Sequence, residues 1–421
     1  MTVRYIIGDT RDVTATLPDG SVDLVLTSPP FLALRSYLPA DHPDKHREIG
    51  SEATPAAFLD TLLELTAEWG RVLAPHGTLA VELGDTYAGS GGAGGDYDVN
   101  KSRAGQPRWV GSAAWSKSDP AALRHKSGHG HGWPLAKSKA LIPELYRVAL
   151  AYGINPLTGQ ESPAGRWRVR NVVTWCRPNP PVGALGDKFR PATSDMVIAC
   201  RASDRWFDLD AVRQPASANT RPRIAKGAEA RYDLPSQQRD GNWSTFAAVN
   251  SDPSAGAPPL DYWVIPPGGY TGSHYAVYPP ELCRIPIEAM CPRQVCTVCG
   301  KPRRRIAETV NAVGHATHRS SWINGADARD DRRDADRDIN KVAPDRAERV
   351  TLGWTDCGHD SFRNGIVLDP FGGSGTTGMV AVGLGRDAIL IDLDERNAEL
   401  ARERIGMFLE VEYLSSVPDG S

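Results

Sequence analysis

The stretch Leu368-Asp369-Pro370-Phe371-Gly372-Gly373-Ser374-Gly375-Thr376-Thr377 constrains this chain most, because it reads as a strand running into a glycine-rich turn that opens a helix. Glycines there let the backbone approach a ligand closely, and the start of a helix presents N–H groups that have no partner inside the helix. The next apolar run, Ile389-Leu390-Ile391, ends in Asp392. In dinucleotide and nucleoside sites an acid at that strand end accepts hydrogen bonds from ribose hydroxyls. An ordinary tight turn is the competing reading, and the acid weighs against it. No Gly-Lys-Ser/Thr closes the turn, which excludes a P-loop and makes a nucleoside without a phosphate chain the better ligand.

The rest of the patterning repeats strand and helix. Residues 3–7 and 23–27 are short apolar runs closed by Gly8-Asp9 and by Ser28-Pro29-Pro30, and both read as buried strands. Thr54 and Pro55 suit the cap and first position of a helix whose apolar residues Phe58, Leu62, Leu65, Trp69 and Val72 recur at intervals of four and three. Pro75-His76-Gly77 is expected to separate this helix from a strand over 78–83. Further strands are expected at 170–175, 196–200, 366–368 and 388–391, and helices at 141–152, 376–384 and 396–408. This alternation implies an α/β fold with a doubly wound sheet, whose ligands bind beyond the carboxyl ends of the strands.

With 48 Lys plus Arg against 51 Asp plus Glu, the net charge is −3, so contact with nucleic acid must come from local patches rather than global charge. One patch is visible: residues 101–139 hold eight cations, Lys101, Arg103, Arg108, Lys117, Arg124, Lys126, Lys137 and Lys139, against the single acid Asp119. It reads either as a solvated loop or as a phosphate-contacting insertion with Trp109, Trp115 and Trp133 for packing or stacking. The Pro-, Ser- and Gly-rich stretch 214–267 resembles an irregular insertion, and 319–350, dense in Asp and Arg, is expected to be a mobile loop. No apolar run approaches the ~18 residues of a membrane span, and no basic-then-apolar leader is visible. The seven cysteines, odd in number, fit a reducing cytoplasm rather than a disulfide framework. Cys296-Thr297-Val298-Cys299-Gly300 has the form of a zinc knuckle, and Cys357-Gly358-His359 offers a second ligand pair. Cys291 is a competing ligand, and reduced, unliganded thiols are the alternative.

A second chemical signal is Asp23-Leu24-Val25-Leu26-Thr27-Ser28-Pro29-Pro30-Phe31. The strand delivers a hydroxyl, two prolines and an aromatic to the ligand edge of the sheet. Consecutive prolines stiffen the turn, and Ser28 Oγ with a proline carbonyl can hold an exocyclic amino group while Phe31 offers a flat face to a base. Together, residues 27–31 and 369–377 resemble the S-adenosylmethionine-dependent DNA amino-methyltransferases. The catalytic motif of that family is Asp/Asn/Ser-Pro-Pro-Tyr/Phe, and its cofactor motif is Asp-Pro-Phe-X-Gly-Ser-Gly-Thr. Catalytic motif first and cofactor motif last is the permuted order of the beta class. The likeness extends over most of the chain, through Gly8-Asp9, residues 77–87, 172–179 and 272–281. Gly373 stands where many relatives have Ala, and Ser194-Asp195 where His-Glu is expected.

The resemblance implies a circularly permuted, Rossmann-like methyltransferase with inserted recognition segments, to which the Cys and His spacing adds a small zinc-binding element. Its parts would be a catalytic half (1–87), a basic insertion (88–140), further strands (141–213), an irregular segment suited to target recognition (214–267), a pocket-completing segment (268–290), the zinc element with its charged loop (291–364) and the cofactor half (365–421). It implies catalytic roles for Ser28, Pro29, Pro30 and Phe31, and S-adenosylmethionine contacts from Asp9, Asp369, Phe371, Gly372, Gly373, Gly375, Thr376, Thr377 and Asp392. The zinc ligands would be Cys296, Cys299, Cys357 and His359. The substrate would be double-stranded DNA with its target base flipped out. Cytosine N4 is favoured by Ser28 and adenine N6 is the alternative; a non-catalytic zinc-containing DNA-binding protein is the rival from another class. A C5-cytosine enzyme is disfavoured, because none of the seven cysteines follows a proline. A cognate restriction endonuclease is a candidate partner.

Overall fold

The structure, a computed structural model, describes residues 1–34, 43–88, 132–180, 188–214, 257–267, 278–311 and 347–414. The expected pocket-completing residues 268–277, most of the basic insertion, most of 214–267 and residues 312–346 lie outside the described residues. The chain forms two compact units: residues 1–208, 260–303 and 356–421 make one, and 209–259 with 304–355 make the other.

The larger unit is built on a nine-stranded sheet. In chain order its strands are β1 (Val3–Ile7), β2 (Val22–Thr27), β3 (Leu73–Leu83), β4 (Arg168–Cys176), β5 (Thr193–Cys200), β6 (Tyr262–Val264), β11 (Ile366–Asp369), β12 (Asp387–Asp392) and β13 (Leu409–Tyr413). The spatial order is β13-β1-β12-β11-β2-β3-β5-β4-β6. Strands β13 to β3 run parallel, β5 is antiparallel to both β3 and β4, and β6 pairs parallel with β4. Helices α1 (Thr10–Thr16), α2 (Pro55–Val72), α3 (Ile142–Tyr152), α4 (Pro280–Met290), α5 (Thr376–Gly383) and α6 (Arg396–Ile405) connect or flank these strands. The smaller unit contains the antiparallel hairpin β8 (Arg305–Asn311) and β9 (Ala347–Trp354).

The expected α2 forms as its pattern dictates. Thr54 Oγ1 accepts from Ala57 N, Pro55 opens the first turn, and Phe58, Leu62, Leu65, Trp69 and Val72 are all buried in the main core. Four expectations change. Residues 75–77 do not separate α2 from a strand, because β3 begins at Leu73 and absorbs them with a register shift between Val22 and Leu24 on its neighbour. The last helix stops at Ile405, where Gly406 takes φ +65°, and the chain turns into β13, which had no separate pattern. Tyr262–Val264, read as part of an irregular insertion, is an edge strand of the sheet. Residues 347–350, read as the end of a mobile loop, belong to β9.

β11 and β2 are neighbours whose chains leave in opposite directions: β11 continues to β12 on one side, and β2 to β3 on the other. That is a topological switch point, and the crevice outside the carboxyl ends of these two strands is where open α/β sheets take ligands. At the opposite end the two strands are held by an ion pair. The Asp23 carboxylate of β2 is fully buried; Arg363 Nη1 donates to Oδ2 at 2.6 Å, Ile366 N donates to Oδ2 at 2.8 Å, and His76 Nε2 lies 2.9 Å from Oδ1. Burial disfavours the charge, but the hydrogen bonds from His76 and Arg363 outweigh it and hold the carboxyl below its ordinary 3.8.

Arg363→Ala strands this carboxylate and is expected to cost about 3–5 kcal/mol at pH 7, read from urea midpoints. Because the folded-state pKa is depressed, the contribution is complete above about pH 4 and is lost as pH falls through the folded value. Wild type and variant should therefore converge in acid.

Candidate functional site

The site is built where β2, β3, β11 and β12 end. Asp369, the last residue of β11, is 1% exposed and gathers four donors. Oδ1 accepts from Thr27 Oγ1 at 2.7 Å and Phe371 N at 3.1 Å, and Oδ2 from Tyr278 OH at 2.8 Å and Thr377 Oγ1 at 2.5 Å. A carboxylate has about four lone-pair sites, so its capacity is filled by the protein. Burial nonetheless pushes its pKa up, and burial raises that of Tyr278 well above 10.0. Asp369 thus welds β2, β11, the start of α5 and the start of the α4 segment together.

The glycine turn lies over β12. Gly373 and Gly375 adopt φ +48° and +80°, and a Cβ on Gly372 would meet Leu390 Cβ at 2.8 Å. Gly372 N donates to Ile391 O at 2.7 Å, Tyr5 OH to Gly373 O at 2.8 Å, and Arg404 Nη1 to Ser374 Oγ at 2.6 Å and Thr376 Oγ1 at 2.8 Å. Phe371 turns edge-on to Trp69 with ring centroids 6.4 Å apart. Asp392 Oδ2 accepts from Gly373 N at 2.8 Å, and Oδ1 from Asp394 N at 2.8 Å and Asn397 Nδ2 at 3.1 Å. Three of about four lone-pair sites are used, and the remaining one is on Oδ2. Burial raises the Asp392 pKa; burial and the Asp392 charge push Asp394 up to about 6. Gly8 N donates to Asp392 O at 2.9 Å, which brings the β1 end alongside. There Asp9 caps α1 through Arg11 N and pairs with Arg11 and Arg47.

At the carboxyl end of β2, Ser28 Oγ donates to Glu82 Oε2 at 2.6 Å. Pro29 is buried while Ser28, Pro30 and Phe31 are half-buried, and the Phe31 ring lies against Gly84, where a Cβ would meet its Cε2 at 2.4 Å. Glu82 is 4% exposed, in β3. It had no assigned role in the sequence, although an acid near the end of the apolar run Leu79-Ala80-Val81 was the available signal. Tyr278 lies in the expected pocket-completing segment but had no role of its own there, and Arg404 went unassigned.

The DNA methylase family model N6_N4_Mtase matches residues 22–294 and 358–403. The chain belongs to this family. It is a DNA amino-methyltransferase. The type II methyltransferase M.SmaI of Serratia marcescens is 23% identical over 403 residues, covering 96% of this chain and 90% of that one. The type II methyltransferase M.XycI of Xanthomonas campestris pv. cyanopsidis is 29% identical over 285 residues, 67% of this chain and 70% of that one. Among solved structures, the cytosine-N4-specific PvuII DNA methyltransferase aligns with TM-score 0.44 at 14% identity, over 99% of this chain and 96% of that one.

In the methylase, the four expected metal ligands Cys296, Cys299, Cys357 and His359 converge, their ligand atoms all within 4.8 Å of one another. Cys291 does not join them; it is fully buried, and its Sγ donates to Pro292 O. Of the basic insertion, residues 88 and 132–140 are described, and there Trp133 packs on the core and donates to Ala53 O at 2.7 Å. No described helix is long and apolar enough to cross a membrane.

Tyr278→Phe removes one donor from the Asp369 cluster and should lower the unfolding free energy of the methylase by about 1–3 kcal/mol, read as a shifted denaturant midpoint at constant slope.

Proposed function

We propose that this methylase transfers the methyl group of S-adenosylmethionine to the N4 amino group of a cytosine flipped out of double-stranded DNA, within a circularly permuted methyltransferase domain. The observation that carries the reading is the Ser28–Glu82 hydrogen bond at the switch point. Because the Ser28 hydroxyl spends its proton on a buried carboxylate, its lone pairs are turned outward, ready to accept from an amino group. The Pro29 carbonyl, next to a residue with no N–H, supplies the second acceptor. Holding both amino hydrogens aims the nitrogen lone pair at the methyl donor, and the Phe31 face stacks on the base. As nitrogen gains the methyl it must lose a proton. Ser28 Oγ takes that proton while passing its own to Glu82, which leaves the charge balanced.

The residues fit the cofactor. The turn brings backbone close to a ligand, and Asp392 retains one acceptor site for a ribose hydroxyl. When bound, S-adenosylmethionine supplies an electrophilic methyl. In this reading Gly372, Gly373, Gly375 and Asp392 meet it, and Asp9 supports the adjoining strand end. Asp369, Phe371, Thr376 and Thr377 hold the turn in place, since their side chains are engaged by the protein. Ser28 in Ser-Pro-Pro-Phe favours cytosine N4, because resembling enzymes with this tetrapeptide lean to cytosine and those with Asp-Pro-Pro-Tyr to adenine N6. Likeness to type II methyltransferases supports a restriction–modification role, with a cognate endonuclease as partner and the bacterial cytoplasm as workplace.

The deciding experiment incubates the protein with labelled S-adenosylmethionine and duplex DNA, then separates the nucleosides. Labelled N4-methylcytosine is expected. N6-methyladenine would overturn the choice of base, and unlabelled DNA would overturn the activity. Glu82→Gln should slow turnover by about 10²–10⁴ with the cofactor still bound, and Phe31→Ala should cost about 1–3 kcal/mol in the DNA complex.

Calorimetry supplies the cofactor test. Asp392→Ala should weaken S-adenosylmethionine binding far more than DNA binding, and unchanged affinity would remove Asp392 from the site.

A further inference from the structure

The Cys/His cluster lies outside the methyl-transfer site, and the geometry points to a structural zinc ion held by Cys296 Sγ, Cys299 Sγ, Cys357 Sγ and His359 Nδ1. The Cys296 and Cys357 sulfurs both lie 3.5 Å from His359 Nδ1. A ring nitrogen has one lone pair or one proton, so it cannot make two hydrogen bonds to two thiols at once. A tetrahedral zinc with Zn–S about 2.3 Å and Zn–N about 2.0–2.1 Å sets S···N at about 3.5 Å, which is the separation found twice here.

The surrounding backbone has the form that ligation needs. Cys299 N points at Cys296 Sγ at 3.5 Å, and Gly300, at φ +68°, donates to Cys296 O at 3.0 Å, closing the first knuckle. Gly358, at φ +78°, donates to Asp356 Oδ1 at 2.9 Å and turns the second pair inward. Thr297 bonds Ser361 through both its N–H and its hydroxyl, at 3.0 and 2.6 Å, so the two knuckles are sewn together beside the ligands. Binding would release the three thiol protons to solvent and use the neutral imidazole lone pair. The resulting ion and three thiolates carry a single negative charge, which the Cys299 N–H helps to offset.

The site also explains what holds Arg363 in place. Cys296 ends the short strand β7 (Gln294–Cys296), which pairs antiparallel with β10 (Phe362–Asn364) so that Cys296 faces Phe362 and Val295 faces Arg363. Three backbone pairs are a weak ribbon on their own. A metal clamping the β7 end to residues 357–359 fixes it and thereby the Arg363 guanidinium on Asp23, under the β2 and β11 strands. A full shell of four protein ligands leaves no place for water or substrate, so the role is stability and positioning rather than chemistry.

The full-length protein, purified without chelator, should contain about one zinc per chain by mass spectrometry of the metal. Replacement with Co²⁺ should give the visible ligand-field bands of a tetrahedral thiolate site. His359→Cys, which preserves four ligands, should retain the ion, whereas His359→Ala should bind zinc more than about 100-fold more weakly, exceeding the loss for an outer-shell partner. Removing zinc with a strong chelator should speed hydrogen exchange at Thr297, Cys299 and Asn364 and lower the melting temperature. Metal-free protein with the same melting temperature and the same exchange at those amides would overturn the proposal, as would equal zinc content in the alanine variant. None of these readouts depends on methyl transfer, so their failure leaves the proposed activity standing and the reverse also holds.

Discussion

Everything at the ligand edge hangs on one buried carboxyl group. Thr27 ends β2 and Asp369 ends β11, far apart in sequence, yet their side chains meet at 2.7 Å. The same carboxyl takes Tyr278 and Thr377. An isolated buried charge is costly, and filling all its acceptor sites makes it tolerable; removing any donor then exposes that cost again. The arrangement links the Ser-Pro-Pro-Phe turn, the glycine turn and the segment entering α4, so that segments remote in sequence can act on one ligand. Asp23 repeats the device at the far end of the same strand, with Arg363 and His76 as donors. β2 is thus held at its lower end by a charge pair and at its upper end by a saturated carboxyl, which leaves the Ser28 turn little freedom.

Much of this was legible in the sequence, for a physical reason. Strands buried on both faces appear as unbroken apolar runs, and the turns at their carboxyl ends demand Gly, Pro and Asp, so β1, β2, β11 and β12 announced themselves together with the turns that follow them. α2 was equally clear because one face packs into the core over 18 residues. The zinc-type cluster was legible because ligand spacing is local even when the two pairs lie far apart.

What was missed depends on partners rather than pattern. β6 has three residues and β13 five, too short to carry a period, and both exist because an edge of the sheet offers them a ladder. The proline and glycine of 75–77 suggested a break, but β3 runs through them because its neighbour accommodates a register shift. Glu82 was hidden for the opposite reason. In sequence it is one acid in an apolar strand, and its meaning comes from Ser28 being 2.6 Å away across a neighbouring strand. Likewise the donors that fill Asp369 come from three separate segments, Thr27, Tyr278 and the turn of 371–377, so no window of sequence could show them together.

The Ser28–Glu82 pair also bears on how the proposed chemistry would work with serine where many amino-methyltransferases carry an acid. A carboxylate in the motif can hold the amino group and take its proton directly. A serine hydroxyl can hold it equally well but is far too weak a base to keep a proton, so a serine enzyme needs a carboxylate one step further back. Glu82 stands at that distance, on the next strand, buried, with its oxygen already receiving the Ser28 proton. Burial lowers the pKa of the nearby Arg177 guanidinium, and the Glu82 charge opposes that shift. The serine motif and the buried acid are therefore one functional unit in this reading: exchanging Ser28 for Asp would place two carboxylates 54 positions apart in sequence within hydrogen-bond reach of each other, where like charges cannot both ionise cheaply.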